Sequence, residues 1–125
     1  MNMKDLHLDS SLSFARKTAL ELVDNLMSLV DAIQDDGDYQ PVSSEVSAEA
    51  KYGDGWKYLL KVYYQKDFNC HWLELAVYHI PLPYKCTRLI ARGSKDDILE
   101  KLNDTSVVDV IERAIPDLHA DLSDI

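Results

Sequence analysis

The chain has 125 residues, 46% of them hydrophobic, which suits one domain (1–125) with a single core that needs neither disulfides nor a metal to fold. Its formal charge of −9 weighs against general binding to nucleic acid or to anionic membranes, since both require a cationic footprint. No stretch is apolar for long enough to span a bilayer, the amino terminus lacks a signal-peptide run, and the two cysteines suit a reducing compartment, so a cytoplasmic location is expected.

Residues 1–8 read as a loose end. Asp9, Ser10 or Ser11 can cap a helix running to about Gln34, with Gly37 beyond it as terminator. Leu12, Ala15, Ala19, Leu22, Leu26, Leu29 and Ile33 recur three or four apart and form one stripe, which Leu20, Val23, Met27 and Val30 widen. So broad an apolar face predicts contact on more than one side, with a sheet and with another helix or a second subunit. The following Asp35-Asp36-Gly37-Asp38 lacks the spacing and terminal Glu of an EF-hand and reads as an acidic turn.

Residues 42–52 alternate cleanly. Val42, Val46, Ala48, Ala50 and Tyr52 share one face, while Ser43, Glu45, Ser47, Glu49 and Lys51 share the other, the pattern of a half-exposed edge strand. Gly53-Asp54-Gly55 then makes a hairpin loop that sets Tyr52 opposite Trp56, and Ala50, Ala48 and Val46 opposite Tyr58, Leu60 and Val62. The stretch 56–92 continues as a meander rich in aromatic and β-branched residues. A turn near Asp67-Phe68 places Val62 against Leu73, Leu60 against Leu75 and Tyr58 against Val77. A slip of one residue would set Leu60 opposite Glu74 and bury a lone carboxylate at a cost of several kcal/mol. After Pro81-Leu82-Pro83, opposing Ile80 to Tyr84 predicts the pairs Tyr78–Cys86, Leu75–Leu89 and Leu73–Ala91, with Cys70 and Cys86 too far apart to bridge.

Ser94 with Asp97 has the form of a capping box for a short helix ending near Asn103. Asp104 or Thr105 caps a last helix whose stripe is Val108, Ile111, Ile115, Leu118, Leu122 and Ile125. Pro116 deletes one backbone hydrogen bond there, and because the stripe keeps its phase across it, a kink is predicted. The fold class that results is an α+β two-layer sandwich: a long amino-terminal helix, a four-stranded antiparallel meander, a short helix and a kinked carboxy-terminal helix.

One sheet face is apolar enough to receive the helices. The predicted register gives the other face Lys57, Leu59, Lys61, Tyr63, Trp72, Glu74, Ala76, Tyr78, Cys86, Arg88, Ile90 and Arg92. Aromatic residues and arginines mixed in this way are typical of binding surfaces. Lys61, Tyr63, Trp72, Glu74, Tyr78, Arg88, Ile90 and Arg92 are accordingly the candidate partner-binding residues, with Glu74 beside Arg88 or Arg92 as a cross-strand pair. Residues 56–92 carry six basic side chains against Asp67 and Glu74, a balance of +4, which leaves −13 for the rest.

No catalytic constellation, metal-ligand array or cofactor motif stands out. His71 and His79 are eight residues apart on one strand, and His7 and His119 lie near the termini. In size, acidity and helix–sheet–helix layering the chain resembles bacterial secretion chaperones. The likeness is one of architecture without a shared motif, and those folds interrupt the sheet with a helix where residues 56–92 run on. The expected function is an adaptor or partner-specific chaperone that binds a protein partner or itself, as a homodimer, without direct contact to nucleic acid or membrane.

Two alternatives compete. Asp96, Asp97, Glu100, Asp104, Asp109, Glu112, Asp117, Asp121 and Asp124 could form the carboxylate rows of a nucleic-acid mimic that inhibits a basic protein. A small-ligand binder or enzyme could instead use a helix–sheet pocket lined by Trp56, Tyr58 and His79. A single-stranded RNA platform fits less well, because Glu45, Glu49 and Glu74 share the basic face.

Overall fold

The structure is a computed structural model and describes residues 3–33, 45–51, 55–80 and 82–124. Helix α1 (Met3–Met27) precedes strands β1 (Glu45–Lys51), β2 (Trp56–Gln65), β3 (Cys70–His79) and β4 (Lys85–Gly93), followed by α2 (Lys95–Asn103) and α3 (Ser106–Ser123). The strands form one antiparallel sheet in the order β1-β2-β3-β4. This is the α+β architecture read from the sequence.

The apolar face of the sheet and the stripes of all three helices close into one core. Ala48, Ala50, Tyr58, Leu60, Val62, Leu73, Leu75 and Val77 pack with Ala19, Leu22 and Leu26 of α1, Ile98 and Leu102 of α2, and Ile111, Ile115, Leu118 and Leu122 of α3. Val23 and Met27 widen the α1 stripe because the helix touches both the sheet and α3, whereas Leu20, expected on the same stripe, stands exposed. Arg16 adds a polar clasp across that helix pair, donating to Asp109 and Glu112 at 3.1 Å each.

Helix α1 differs from expectation at both ends. It begins at Met3, so residues 3–8 lie within it and Asp9, Ser10 and Ser11 are not its cap. It stops at Met27, where the Ser28 hydroxyl donates to the Asn25 carbonyl, and a 3₁₀ turn follows over Val30–Ala32. Three residues per turn instead of 3.6 shift the phase of the stripe. Leu29 is thereby left exposed while Ile33 returns to the core. The predicted Asp35–Asp38 turn, the opposition of Tyr52 to Trp56 and the extension of β1 to residue 42 lie outside the described residues.

Both predicted capping arrangements occur. The Ser94 hydroxyl accepts from Asp97 N while the Asp97 carboxylate accepts from Ser94 N, closing the capping box of α2. Asp104 accepts from Ser106 N at the start of α3, which holds its carboxyl below the usual range. Pro116 stands on the exposed side of α3, where the carbonyl left without its partner can turn to water, and the helix runs on to Ser123.

Candidate interaction face

The β1–β2 and β2–β3 registers are those that apolar pairing predicts, with Ala48 opposite Leu60, Leu60 opposite Leu75 and Tyr58 opposite Val77. Among the described residues, α1, α2 and α3 lie on one side of the sheet. The other side carries no second layer among the described residues, and its side chains fall into four rows running across the strands.

At one end Lys51, Lys57, Tyr78 and Lys85 stand side by side. The ammonium groups of Lys57 and Lys85 lie 5.0 and 5.9 Å from the Tyr78 ring centre, a cation–π arrangement from two neighbours. Next come Glu49, Leu59, Ala76 and Thr87, then Ser47, Lys61, Glu74 and Leu89. The far row is Glu45, Tyr63, Trp72 and Arg92. Five basic and three acidic side chains give this face +2, which against −9 overall leaves −11 for the remainder.

The centre of the face is well packed. Lys61 Nζ lies 3.5 Å from Glu74 Oε1, with the two side chains only 12% and 13% exposed. The Tyr63 hydroxyl donates to the other Glu74 oxygen at 3.1 Å. Desolvation, reinforced by the Glu74 and Glu45 carboxylates, pushes the Tyr63 hydroxyl up to about 12. Trp72 sits between Tyr63 and Phe68, with ring centres 6.1 and 5.4 Å away. Its indole N–H is enclosed and has no hydrogen-bond partner among the described residues, an arrangement that costs about 1–3 kcal/mol.

Strand β4 departs from the predicted register. Leu73 pairs with Ala91 as expected, but an irregularity then makes Glu74 pair with Leu89, Leu75 with Arg88 and Val77 with Cys86. The extra residue is Ile90, which packs against the core. Every β4 position before it is turned over. Arg88, Ile90 and Cys86 therefore leave the open face, and Leu89 joins it at 41% exposure. Arg88 reaches α3 instead and pairs with Asp117 at 3.2 Å. Glu74, predicted to pair with Arg88 or Arg92, pairs with Lys61. Of the candidate partner-binding residues, Lys61, Tyr63, Trp72, Glu74, Tyr78 and Arg92 share the face. Cys86, now toward α3, has its thiol pushed up by burial and by Asp121, and both cysteines are free.

A second cluster lies on the helix side. Trp56 is held between His79 and His119, with ring centres 4.1 and 3.8 Å away and the planes almost parallel. Buried Tyr58 shares a hydrogen bond of 2.7 Å with His119 Nε2. In the sequence His119 stands near the terminus with no marked partner. Its position one residue past Leu118 and four past Ile115 marks it as an edge residue of the core stripe. The rings of this cluster fill the space between one another.

Among the described residues, no group of three or more His, Cys, Asp or Glu side chains is placed to hold a metal ion, and no helix is long and apolar enough to cross a membrane. No protein-family model matches the chain, and neither do the curated proteins or the solved structures compared with it.

Proposed function

We propose that this chain is a small acidic cytoplasmic interaction module, an adaptor or partner-specific chaperone, and that the uncovered sheet face is the surface with which it binds another polypeptide. The observation that carries this reading is the composition of that face. Leu59, Trp72 and Leu89 on β2, β3 and β4 stand among charged side chains, with no second layer upon them among the described residues. A sheet in a two-layer fold ordinarily presents a polar exterior. Aromatic and aliphatic side chains set among charges, with Trp72 and Tyr63 beside Arg92, are of the kind that interfaces are enriched in.

The two alternatives have less support. Of the nine carboxylates that could imitate a phosphate row, Asp97 and Asp104 serve as helix caps, Asp109 and Glu112 hold Arg16, and Asp117 holds Arg88. A pocket at Trp56, Tyr58 and His79 would have to open between rings already stacked at contact distance.

The test is site-specific photo-crosslinking in native cytoplasm. A photoreactive residue in place of Leu89, on the open face, is expected to form adducts with protein, self or foreign. The same residue in place of Leu20, equally exposed on α1, should form far fewer. A folded, labelled chain that gives no adduct from position 89 would overturn the reading.

A further inference from the structure

Resting on that reading, we infer that the occupant of the open face is a second copy of this chain, docked sheet against sheet about a two-fold axis parallel to the strands. The cross-strand rows carry the inference. Such an axis lays the β1 edge of one subunit over the β4 edge of the other and keeps every row at its own level.

In the far row, Glu45 then faces Arg92 of the partner subunit, and Tyr63 faces the partner subunit's Trp72. Beside the axis, Lys61 faces the partner's Glu74, so the two internal pairs join into a ring of four alternating charges. Networks of this kind are worth more than isolated pairs. Only the lysine row is mismatched at its ends, with Lys51 against the partner's Lys85. An axis perpendicular to the strands would set Lys51 against the partner's Glu45 but Lys85 against the partner's Arg92, and it does worse at the centre. It would set Glu74 against the partner's Ala76 and Lys61 against the partner's Leu59, leaving the partner no countercharge for either.

Dimensions set the strength. Four strands at ~4.8 Å and seven residues at ~3.4 Å give a footprint of roughly 450 Å² per copy. The total of about 900 Å² falls just short of the roughly 1,000 Å² that a stable specific interface clears, so a weak, reversible dimer is implied. Sheets packed in this aligned way turn by about 30°, and the long side chains of Glu45 and Arg92 at the corners can follow that turn. Within one chain these two residues stand about 14 Å apart, three strand spacings, with Tyr63 and Trp72 between them. Any coupling between them must therefore pass from one subunit to the other.

Sedimentation equilibrium of the full chain at low salt, from micromolar to millimolar concentration, tests this. The wild type is expected to dimerise. Glu45→Lys alone and Arg92→Glu alone should each weaken the dimer about tenfold, because two attractive contacts become repulsive. Each variant should keep its far-ultraviolet spectrum and melting temperature. An equimolar mixture of the two variants should recover association, since every corner contact in the mixed dimer is again between opposite charges. A wild-type chain that stays monomeric, or a dimer indifferent to both changes and not re-formed in the mixture, overturns the inference. Foreign adducts from position 89 on a monomeric chain would leave the broader reading standing, whereas no adducts of any kind would remove both.

Discussion

The Lys61–Glu74 pair allows a quantitative test of how the open face is built. At 3.5 Å and an effective dielectric of 20, the attraction is 332/(20 × 3.5), or about 5 kcal/mol. With both side chains little exposed, desolvation of two charges removes most of that gain. The pair is thus expected to be close to neutral as a unit, yet costly to break. Glu74→Ala strands the Lys61 charge and takes the acceptor from the Tyr63 hydroxyl. A loss of about 2–3 kcal/mol follows, less than for a pair in a deep core because one side of the sheet is uncovered. Lys61→Ala should cost about 1–2 kcal/mol, leaving a carboxylate that Tyr63 still serves. Together, Lys61→Met and Glu74→Leu should return to within about 1 kcal/mol of wild type. Urea unfolding followed by tryptophan fluorescence, at concentrations where any dimer is dissociated, gives these stabilities, and Lys61→Met and Glu74→Leu made singly complete the double-mutant cycle with their double variant. Additive losses, with no coupling between positions 61 and 74, would refute the reasoning.

Three further outcomes are expected. Gly93 has φ of +154°, and a Cβ there would fall 2.6 Å from Asp97 Oδ2, so Gly93→Ala should break the capping box and cost about 1–2 kcal/mol, seen as a fall in Tm of about 4–8 °C. Arg88→Ala should change stability by no more than about 0.5 kcal/mol, since its bond to Asp117 joins side chains 40% and 64% exposed, and it should leave association untouched, in contrast to Arg92→Glu. Above pH 10 the folded chain keeps the Tyr63 proton, held to about 12, after the unfolded chain has lost its own. That contribution is complete below pH 10 and falls away as the pH rises toward 12, so Tyr63→Phe should show a shallower alkaline loss of stability in urea titrations.

The parts of the fold legible in the sequence are those where a wrong choice would bury a charge. Pairing Leu60 with Leu75 keeps Glu74 off the core, and that constraint alone sets β2 against β3. The capping box at Ser94 is equally local, since both partners lie within one turn. The bulge at Ile90 carried no such mark. The run Arg88-Leu89-Ile90-Ala91-Arg92 has no glycine or proline, and apolar residues occupy both parities around Ile90, so either register gives β4 an acceptable inner face. His119 was hidden for a different reason: its partners Trp56 and Tyr58 belong to a strand some 60 residues away, so only the packed fold brings them together.

That single extra residue also decides which arginine faces outward. Leu73 pairs with Ala91, and Trp72 with Arg92, ahead of the irregularity, so Arg92 keeps its place at the corner of the face in either register. Arg88 lies beyond it and is turned toward α3, where Asp117 receives it. In the unbulged register both arginines would stand outside, Leu89 would point inward, and Asp117 would lose its cation. The bulge thus places one guanidinium between sheet and helix, leaves the other exposed, and exchanges an inward leucine for an outward one. The open face of β4 consequently ends in one exposed arginine, which a partner surface with a glutamate edge can satisfy, and one exposed leucine.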